Sequence, residues 1–442
     1  LQTLTDISKL PDYEEAQFFY GRGRWGYSSG FRGAPVDADG NPVYYQIPKS
    51  FAAAKNDGER WRWLLSMAVE NNPARINDVD MMFAQFLQSE FGEQTLSYAG
   101  WNGGQVQDDD TQKNDSGTFA LHTLGEDETI AKLASGIKRF KMPAEFNYIA
   151  IYRRVVARGK SSQANTSLEI LANVFENRRQ YDKAAEIWRQ DIADYGPGNQ
   201  NYRQQRLDQI IKNWGRFENA KVQPAGTGTG ATVEFRFRNG NRVEFEAHEI
   251  LVEKLLNDVK AHLKATPARP DYRQMDISNI GFRIVQQNES QYIGAKVATW
   301  SLDLKPRPNH IDDRVTVATP LQKAGAYLLT GRMPDGNVSR IIIWIADTAI
   351  LKKPLDNQSF YYVADALSGQ PVAKANVEFF GWRMMQITPN TNQFRVDVKN
   401  FAEFTNADGQ VILGQKDLHQ EYPWLITART DTGRFSYMGF TG

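Results

Sequence analysis

Four stretches of the chain carry residue types at spacings that could do chemistry. GRGRWG, Gly21–Gly26, spells G-x-G-x-x-G, the pattern whose backbone amides cradle a dinucleotide pyrophosphate. That chemistry needs a buried strand running in and a helix starting behind it. YEEAQFFY before it reads as helix or turn and YSSGFRGAPVDADGNP after it as loop, so the sequence predicts a glycine-rich surface loop and no dinucleotide. HEILV begins like the zinc motif H-E-x-x-H, but Val252 stands at the second histidine and His262 lies fourteen residues beyond His248. No zinc pair forms, and His248 is expected at a helix start beside Glu249. DDDTQKNDSG, Asp108–Gly117, has oxygens for calcium, but it lacks the glycine in the sixth and the glutamate in the twelfth position of an EF-hand loop; Phe119 occupies the latter. It reads as a solvated loop, and DADGNP at Asp37 as a turn. The fourth stretch is basic. Lys138, Arg139, Lys141, Arg153, Arg154, Arg158 and Lys160 face only Glu145 in their window. Arg153, Arg154 and Arg158 are candidates for docking an anionic partner, an acidic peptide or an anionic surface. The alternative is a solvated helical face balanced by the acidic stretch Glu126–Glu128.

The remaining chemistry is thin. The histidines, His122, His248, His262, His310 and His419, are scattered without a Ser-His-Asp spacing, and neither a Walker A nor a G-x-S-x-G pattern occurs. Cysteine is absent, which excludes disulfides, zinc thiolates and a cysteine nucleophile within this chain. No catalytic residue, metal site or cofactor is therefore assigned. Lys plus Arg and Asp plus Glu are 52 each, so the basic excess of a general nucleic-acid binder is missing. With 442 residues, 41% of them hydrophobic, the chain can bury about three cores. The longest apolar run, Ile341–Ala346, falls far short of the roughly 20 residues that span a bilayer. No signal peptide is legible, and the chain reads as a processed protein or a piece of a longer one.

The elements that would position these residues change character midway. Trp61, Leu64, Leu65, Ala68 and Val69 fall on one face of a helix, with Asn71–Pro73 as its stop. Ile76, Val79, Phe83, Phe86 and Leu87 repeat the pattern. Further helices are expected over 128–136, 144–158, 165–178, 182–194 and 202–214. Leu168, Leu171, Ala172, Phe175, Tyr181, Ala184 and Trp188 sit where a tetratricopeptide repeat puts its packing residues, with Asp191 replacing a small one. The array is either a peptide-binding concave face or a plain helical spacer. From Val233 the period becomes two, with Asn239-Gly240 as a hairpin turn. One helix is expected over HEILVEKLLNDVKAHL, then strands near ISNIGFRIVQ, GAKVATWSLDL, DRVTVATP, GAYLLTGR and SRIIIWIAD, enough for a β-sandwich of about seven strands. A second set of about seven begins near Leu355.

YYVADALSGQPVAKANVEFFGW, with Asp365, Ser368, Gly369, Pro371, Val372, Ala375 and Val377, is followed by the turn Asp408-Gly409. In that order these residues resemble the macroglobulin-like domains of the alpha-2-macroglobulin family in its bacterial form. The match is clear over 318–440 and plausible from about Ala231. The apolar periodicity gives a helical, tetratricopeptide-like all-α domain at 1–219, which departs from the family's common pattern; the resemblance implies a macroglobulin-like sandwich with one inserted helix at 220–350 and a second at 351–442. It also implies that this chain is a non-catalytic N-terminal scaffold of a periplasmic, envelope or exported protein that traps proteases. Bait and thioester would lie beyond these residues. The competing expectation is a peptide-binding or cell-surface adhesion module in which the helical array does the work.

Overall fold

The computed structural model describes residues 34–93, 120–389 and 391–441. GRGRWG and DDDTQKNDSG lie outside the described residues. The chain divides into two compact units, one running to Lys212 and taking in Arg307–Asp312, the other comprising Asn213–Pro306 and Asp313–Gly442.

In the first unit the amphipathic stretches become α1 (Asp57–Asn71), α2 (Ile76–Phe91), α3 (Tyr148–Ala157), α4 (Ser162–Asn177), α5 (Tyr181–Tyr195) and α6 (Tyr202–Ile211). The starts of α1, α3 and α4 are set by short polar caps that take up orphan amides. Asn56 accepts from the Glu59 amide, Asn147 from those of Ile149 and Ala150, and Ser161 from that of Ala164. The core is built from Tyr148, Ile151 and Tyr152 of α3, Leu168, Leu171 and Phe175 of α4, and Trp188 of α5. Ala172 and Ala184 are wholly buried, so α4 and α5 can approach closely as a hairpin.

The sequence reading errs at one place in this unit, which is not all-α. Residues 128–136, expected as a helix, form β1 (Glu128–Leu133), which turns into β2 (Gly136–Lys141). Thr129, Ile130, Ala131 and Leu133 are all buried, on both faces of β1. A strand covered on both sides shows no period of two, and six residues are too few to exclude a helix. α6 also stops at Ile211, and Trp214 already belongs to the next strand.

Among the described residues the second unit is antiparallel apart from one short parallel strand pairing and an isolated parallel bridge between Asn213 and Gly336. Its strands are β3 (Trp214–Phe217), β4 (Gln223–Pro224), β5 (Thr232–Arg238), β6 (Arg242–Ile250), β7 (Ile293–Asp303), β8 (Asp313–Ala318), β9 (Gly325–Arg332) and β10 (Val338–Ala346), then β11 (Thr348–Leu355), β12 (Gln358–Asp365), β13 (Asn376–Gln386), β14 (Phe394–Phe404), β15 (Gln410–Gly414), β16 (Trp424–Arg429) and β17 (Phe435–Thr441). Sheet β4-β10-β9-β6-β7 faces β3-β5-β8 across Phe217, Phe235 and Phe245, whose ring centroids lie 5.2–5.8 Å apart. Sheet β14-β13-β16-β17 faces β11-β12-β15 across Tyr361, Phe379 and Ile426. A third core lies between the two pairs. There α7 (Val252–Lys264) and the segment after it pack against Leu328 of β9 and against Phe380, Val396 and Leu425 of the four-stranded sheet. β9 is buried on both faces, which is why AYLLTG reads as an unbroken apolar run.

Two expectations fail around α7. His248 is not at a helix start: the alternation Val243, Phe245, Ala247 breaks at a register irregularity around His248 and the strand runs on to the buried Ile250, so His248 lies in β6. ISNIGFRIVQ is not a strand but follows the short α8 (Tyr272–Met275) as irregular chain ending in a π-turn at Phe282–Gln286. Ile277, Ile280 and Ile284 are buried at helical spacing, so their β-branched composition misleads while their spacing does not.

A last contact closes the first pair of sheets. The Asn337 side chain accepts from the Gly215 amide and donates to its carbonyl, both at 2.8 Å, and Ser339 accepts from the Phe217 amide at 3.1 Å. β3 is thus fastened to β10 through side chains.

Candidate functional site

The basic stretch folds mainly onto β2 and α3. Arg153 meets Glu126 through two hydrogen bonds of 2.8 and 2.9 Å. Burial raises the Glu126 carboxyl, but Arg153 and Lys183 outweigh it and hold it below its ordinary value. Arg139 bonds Glu128 at 2.8 Å, Lys141 lies 3.1 Å from Asp127, and Lys160 lies 3.3 Å from Asp194. The acidic stretch Glu126–Glu128 thus answers three of the cations, as charge counting anticipates. The sequence gives no hint of Asp80, which sits on α2 far from the stretch. Asp80 takes two guanidiniums: Arg154 at 2.7 Å and Arg158 at 2.6 Å. Its side chain is 12% exposed while that of Arg154 is 50% exposed. One carboxylate shared by two arginines leaves an excess of positive charge at that rim.

Beside this cluster is a cavity of about 280 Å³. Leu65 and Val69 of α1, Val79 and Phe83 of α2, and Phe146 before α3 form its apolar wall; Arg62, Asp80, Glu145 and Arg154 also line it. The apolar stripe predicted on α1 explains the opening. Only its first member, Trp61, is buried; Leu65 and Val69 are half-buried and Ala68 is exposed among the described residues. Arg62 is 4% exposed, donates to the Gly58 carbonyl at 3.1 Å, and lies 5.6–5.9 Å from the ring centres of Tyr45, Trp61, Phe83 and Phe86. Four rings hold that guanidinium by its faces. Sequence reading misses Arg62 because its neighbours in the cage come from three separate segments.

Asp191, unusual for its place in the helix pair, is wholly buried. Arg203 of α6 brings its Nε to 2.8 Å, yet neither Asp191 oxygen accepts an aligned hydrogen bond. Burial therefore wins over Arg203, and the carboxyl is pushed up to about 6. The Arg203 fork also reaches Glu169 at 2.8 Å and Asn165 at 2.9 Å.

In the second unit the residues of the D-x-x-S-G-x-P stretch form one turn. The Asp365 carboxylate accepts from the Ser368 amide and hydroxyl, both at 2.8 Å, and from the Leu367 amide at 3.1 Å; Arg434 lies 3.0 Å away. These bonds hold it down at about 2. Gly369 has φ +72°, and Pro371 pairs with Ala364. Gly409 of the later Asp-Gly turn has φ +70°, and a Cβ there would stand 2.6 Å from the Val363 carbonyl and 2.9 Å from Pro371. Its carbonyl accepts from the Val363 amide at 2.8 Å. The two pieces of the pattern, over thirty residues apart in sequence, meet at this point.

No group of three or more His, Asp or Glu able to hold a metal occurs among the described residues, and no helix there is long and apolar enough to cross a membrane. His262 accepts from the Asp271 amide at 3.0 Å and the His419 carbonyl from the Trp424 ring at 3.2 Å, both structural roles.

No protein-family model matches the chain. No curated protein matches it. Among solved structures it is similar to native alpha-2-macroglobulin from Escherichia coli spanning domains MG0-NIE-MG1, with 16% identity and a TM-score of 0.33, covering 52% of this chain and 65% of that one. The NIE-MG1 structure of the same protein gives 17% identity and a TM-score of 0.34, covering 52% of this chain and 97% of that one. A mutant of Salmonella alpha-2-macroglobulin gives 14% identity and a TM-score of 0.30, covering 52% of this chain and 12% of that one. Over about half its length, then, the chain is similar to solved bacterial alpha-2-macroglobulin structures.

Proposed function

We propose that this chain is the non-catalytic N-terminal scaffold of an alpha-2-macroglobulin-like protein. The observation that carries the reading is the convergence of Asp365, Gly369, Pro371 and Gly409 on one corner of a β-sandwich. In this reading the sandwiches set the frame of a larger exported or envelope protein, its partners are proteases, and trapping and any thioester belong to parts outside this chain. The absence of a site constellation in the sequence agrees with a scaffold role. The test is mass spectrometry of the full-length protein with and without methylamine, before and after a broad-specificity protease. Covalent uptake, one preferred cleavage and retained protease support the reading; no uptake and no retained protease remove it.

A second reading assigns the first unit, with its tetratricopeptide-like pair α4–α5, to peptide binding or adhesion. Asp80 shared between Arg154 and Arg158 favours it, because an anion could take over one of the two guanidiniums. A partner retained by the chain and lost on reversing the charge of Arg153 and Arg154 would support it; retention unchanged by that reversal would remove the basic face.

A further inference from the structure

The geometry points to the cavity between α1, α2 and Phe146 as a receptor for a peptide that places one large apolar side chain next to a carboxylate. The inference rests on the anion-docking reading of the first unit and narrows it from a face to a pocket. Three observations carry it. Leu65, Val69, Val79 and Phe83 belong to stripes that periodicity marks as core, yet the described residues leave them half-open around about 280 Å³. That space admits one side chain the size of phenylalanine but is small for a free ligand of drug size. At the rim, Arg154 is half-exposed and donates two hydrogen bonds to Asp80, at 3.1 and 2.7 Å, while Arg158 pairs with the same carboxylate at 2.6 Å; an incoming carboxylate can meet the open side of Arg154 or take it over while Asp80 keeps Arg158. Arg62 stands in the wall, held by four rings that fix its position. Glu145 is the opposing charge; it is exposed, and it excludes a peptide with carboxylates on both sides of the anchor in close contact. The arrangement selects an apolar anchor with the acid on the Arg154 side.

The test uses the full chain and three labelled peptides in fluorescence anisotropy: acetyl-Gly-Phe-Asp-Glu-amide, the same with serine for phenylalanine, and the same with asparagine and glutamine for the acids. The first should bind at least about tenfold more tightly than either control. Ser66→Trp, which fills the cavity, should remove that difference while circular dichroism and Tm stay near those of the parent, and Arg154→Gln, which removes the rim charge and leaves Asp80 to Arg158, should remove it with the circular dichroism of the parent. Equal binding of the serine peptide would overturn the pocket and leave only an anion-binding face. Equal binding of the amide peptide would overturn the role of Arg154. No binding of the first peptide would overturn both the pocket and the anion-docking reading beneath it. If Ser66→Trp does not fold, Leu65→Glu, on the half-open face of α1, tests the same wall.

Discussion

The two units handle buried backbone in different ways. In the sandwiches nearly every strand finds its partners in a ladder, and the cores are aromatic and aliphatic. The helical unit has long irregular connections whose carbonyls face inward, and there buried guanidiniums take the place of a ladder. Arg178 is wholly buried, yet it donates to the Gly125 carbonyl at 3.0 Å and to the Tyr148 hydroxyl at 2.9 Å, and pairs with Glu93. Gln180 donates to the Leu124 carbonyl at 2.7 Å, and Arg203 to the Gly196 carbonyl at 3.1 Å. The exception in the second unit confirms the rule. The long irregular stretch after α7 is held by Arg283, 3% exposed, which donates to the carbonyls of Gln274 and Asp276 at 3.1 and 3.0 Å and pairs with Glu289. A five-donor fork can satisfy several carbonyls at once and keep its charge paired. Arg178, Arg203 and Arg283 thus serve carbonyls where the chain leaves regular structure, whereas the buried Arg62 sits within α1 among aromatic rings.

Removing such an arginine should give the largest effect. Arg178→Ala takes the paired cation from the nearly buried Glu93, which keeps the Tyr148 hydroxyl, and removes one of two donors to the Gly125 carbonyl, and a loss of about 3–5 kcal/mol is expected. Arg178→Lys should recover less than half, because a point charge cannot reproduce the fork. Urea unfolding measures both; a full rescue by lysine would break the comparison. In the second unit the matching test is Lys260 of α7, 7% exposed, whose Nζ lies 2.6 Å from Glu378 of β13. Glu378 keeps some access to water, so Lys260→Ala should cost less, about 2 kcal/mol. Gly409→Ala comes next. It must place a Cβ against the Val363 carbonyl at positive φ, and about 1–3 kcal/mol should be lost, with the amide of Val363 exchanging faster.

Acidity should pull the two units in opposite directions. Asp191 titrates at about 6 in the folded unit against an ordinary 3.8, so the folded form binds the extra proton and its contribution to stability falls as pH rises from about 4 through 6. Asp365 is held at about 2, so its contribution is complete above about 4 and is lost as pH falls through 2. Thermal melts at several pH values separate them. Asp191→Asn should gain on the parent chain as pH rises, whereas Asp365→Asn should lose most at neutral pH and little in strong acid. The smallest effect belongs to Arg153→Ala. Its pair with Glu126 is about two-fifths exposed, and at most about 1 kcal/mol should change.

Much of this was legible in the sequence where one period ran for several turns or strands. α4 and α5, the β5–β6 hairpin and the separate turns at Ser368-Gly369 and Asp408-Gly409 follow from spacing and turn residues alone; that the two turns meet at one corner does not. What failed was short or doubly covered. β1 shows no alternation because both faces are buried, and Ile277–Ile284 carries strand-like residues on a helical spacing. The acidic neighbours of Arg139, Lys141 and Arg153 could be foreseen from composition. Asp80 and Arg62 could not, since each acts with residues from distant elements and neither belongs to a motif. The half-open stripe of α1 was visible as apolar periodicity; that it remains partly uncovered was not.

The fastening of β3 to β10 by Asn337 and Ser339 has a consequence for how the protein behaves when crowded. A strand edge bonded by backbone groups can be copied by any extended chain, because every residue offers the same donor and acceptor. An edge occupied by an amide and a hydroxyl has no such repeat, so a foreign strand finds no template there. In this sandwich the backbone groups of Gly215 and Phe217 are withheld from such copying by two side chains, Asn337 and Ser339.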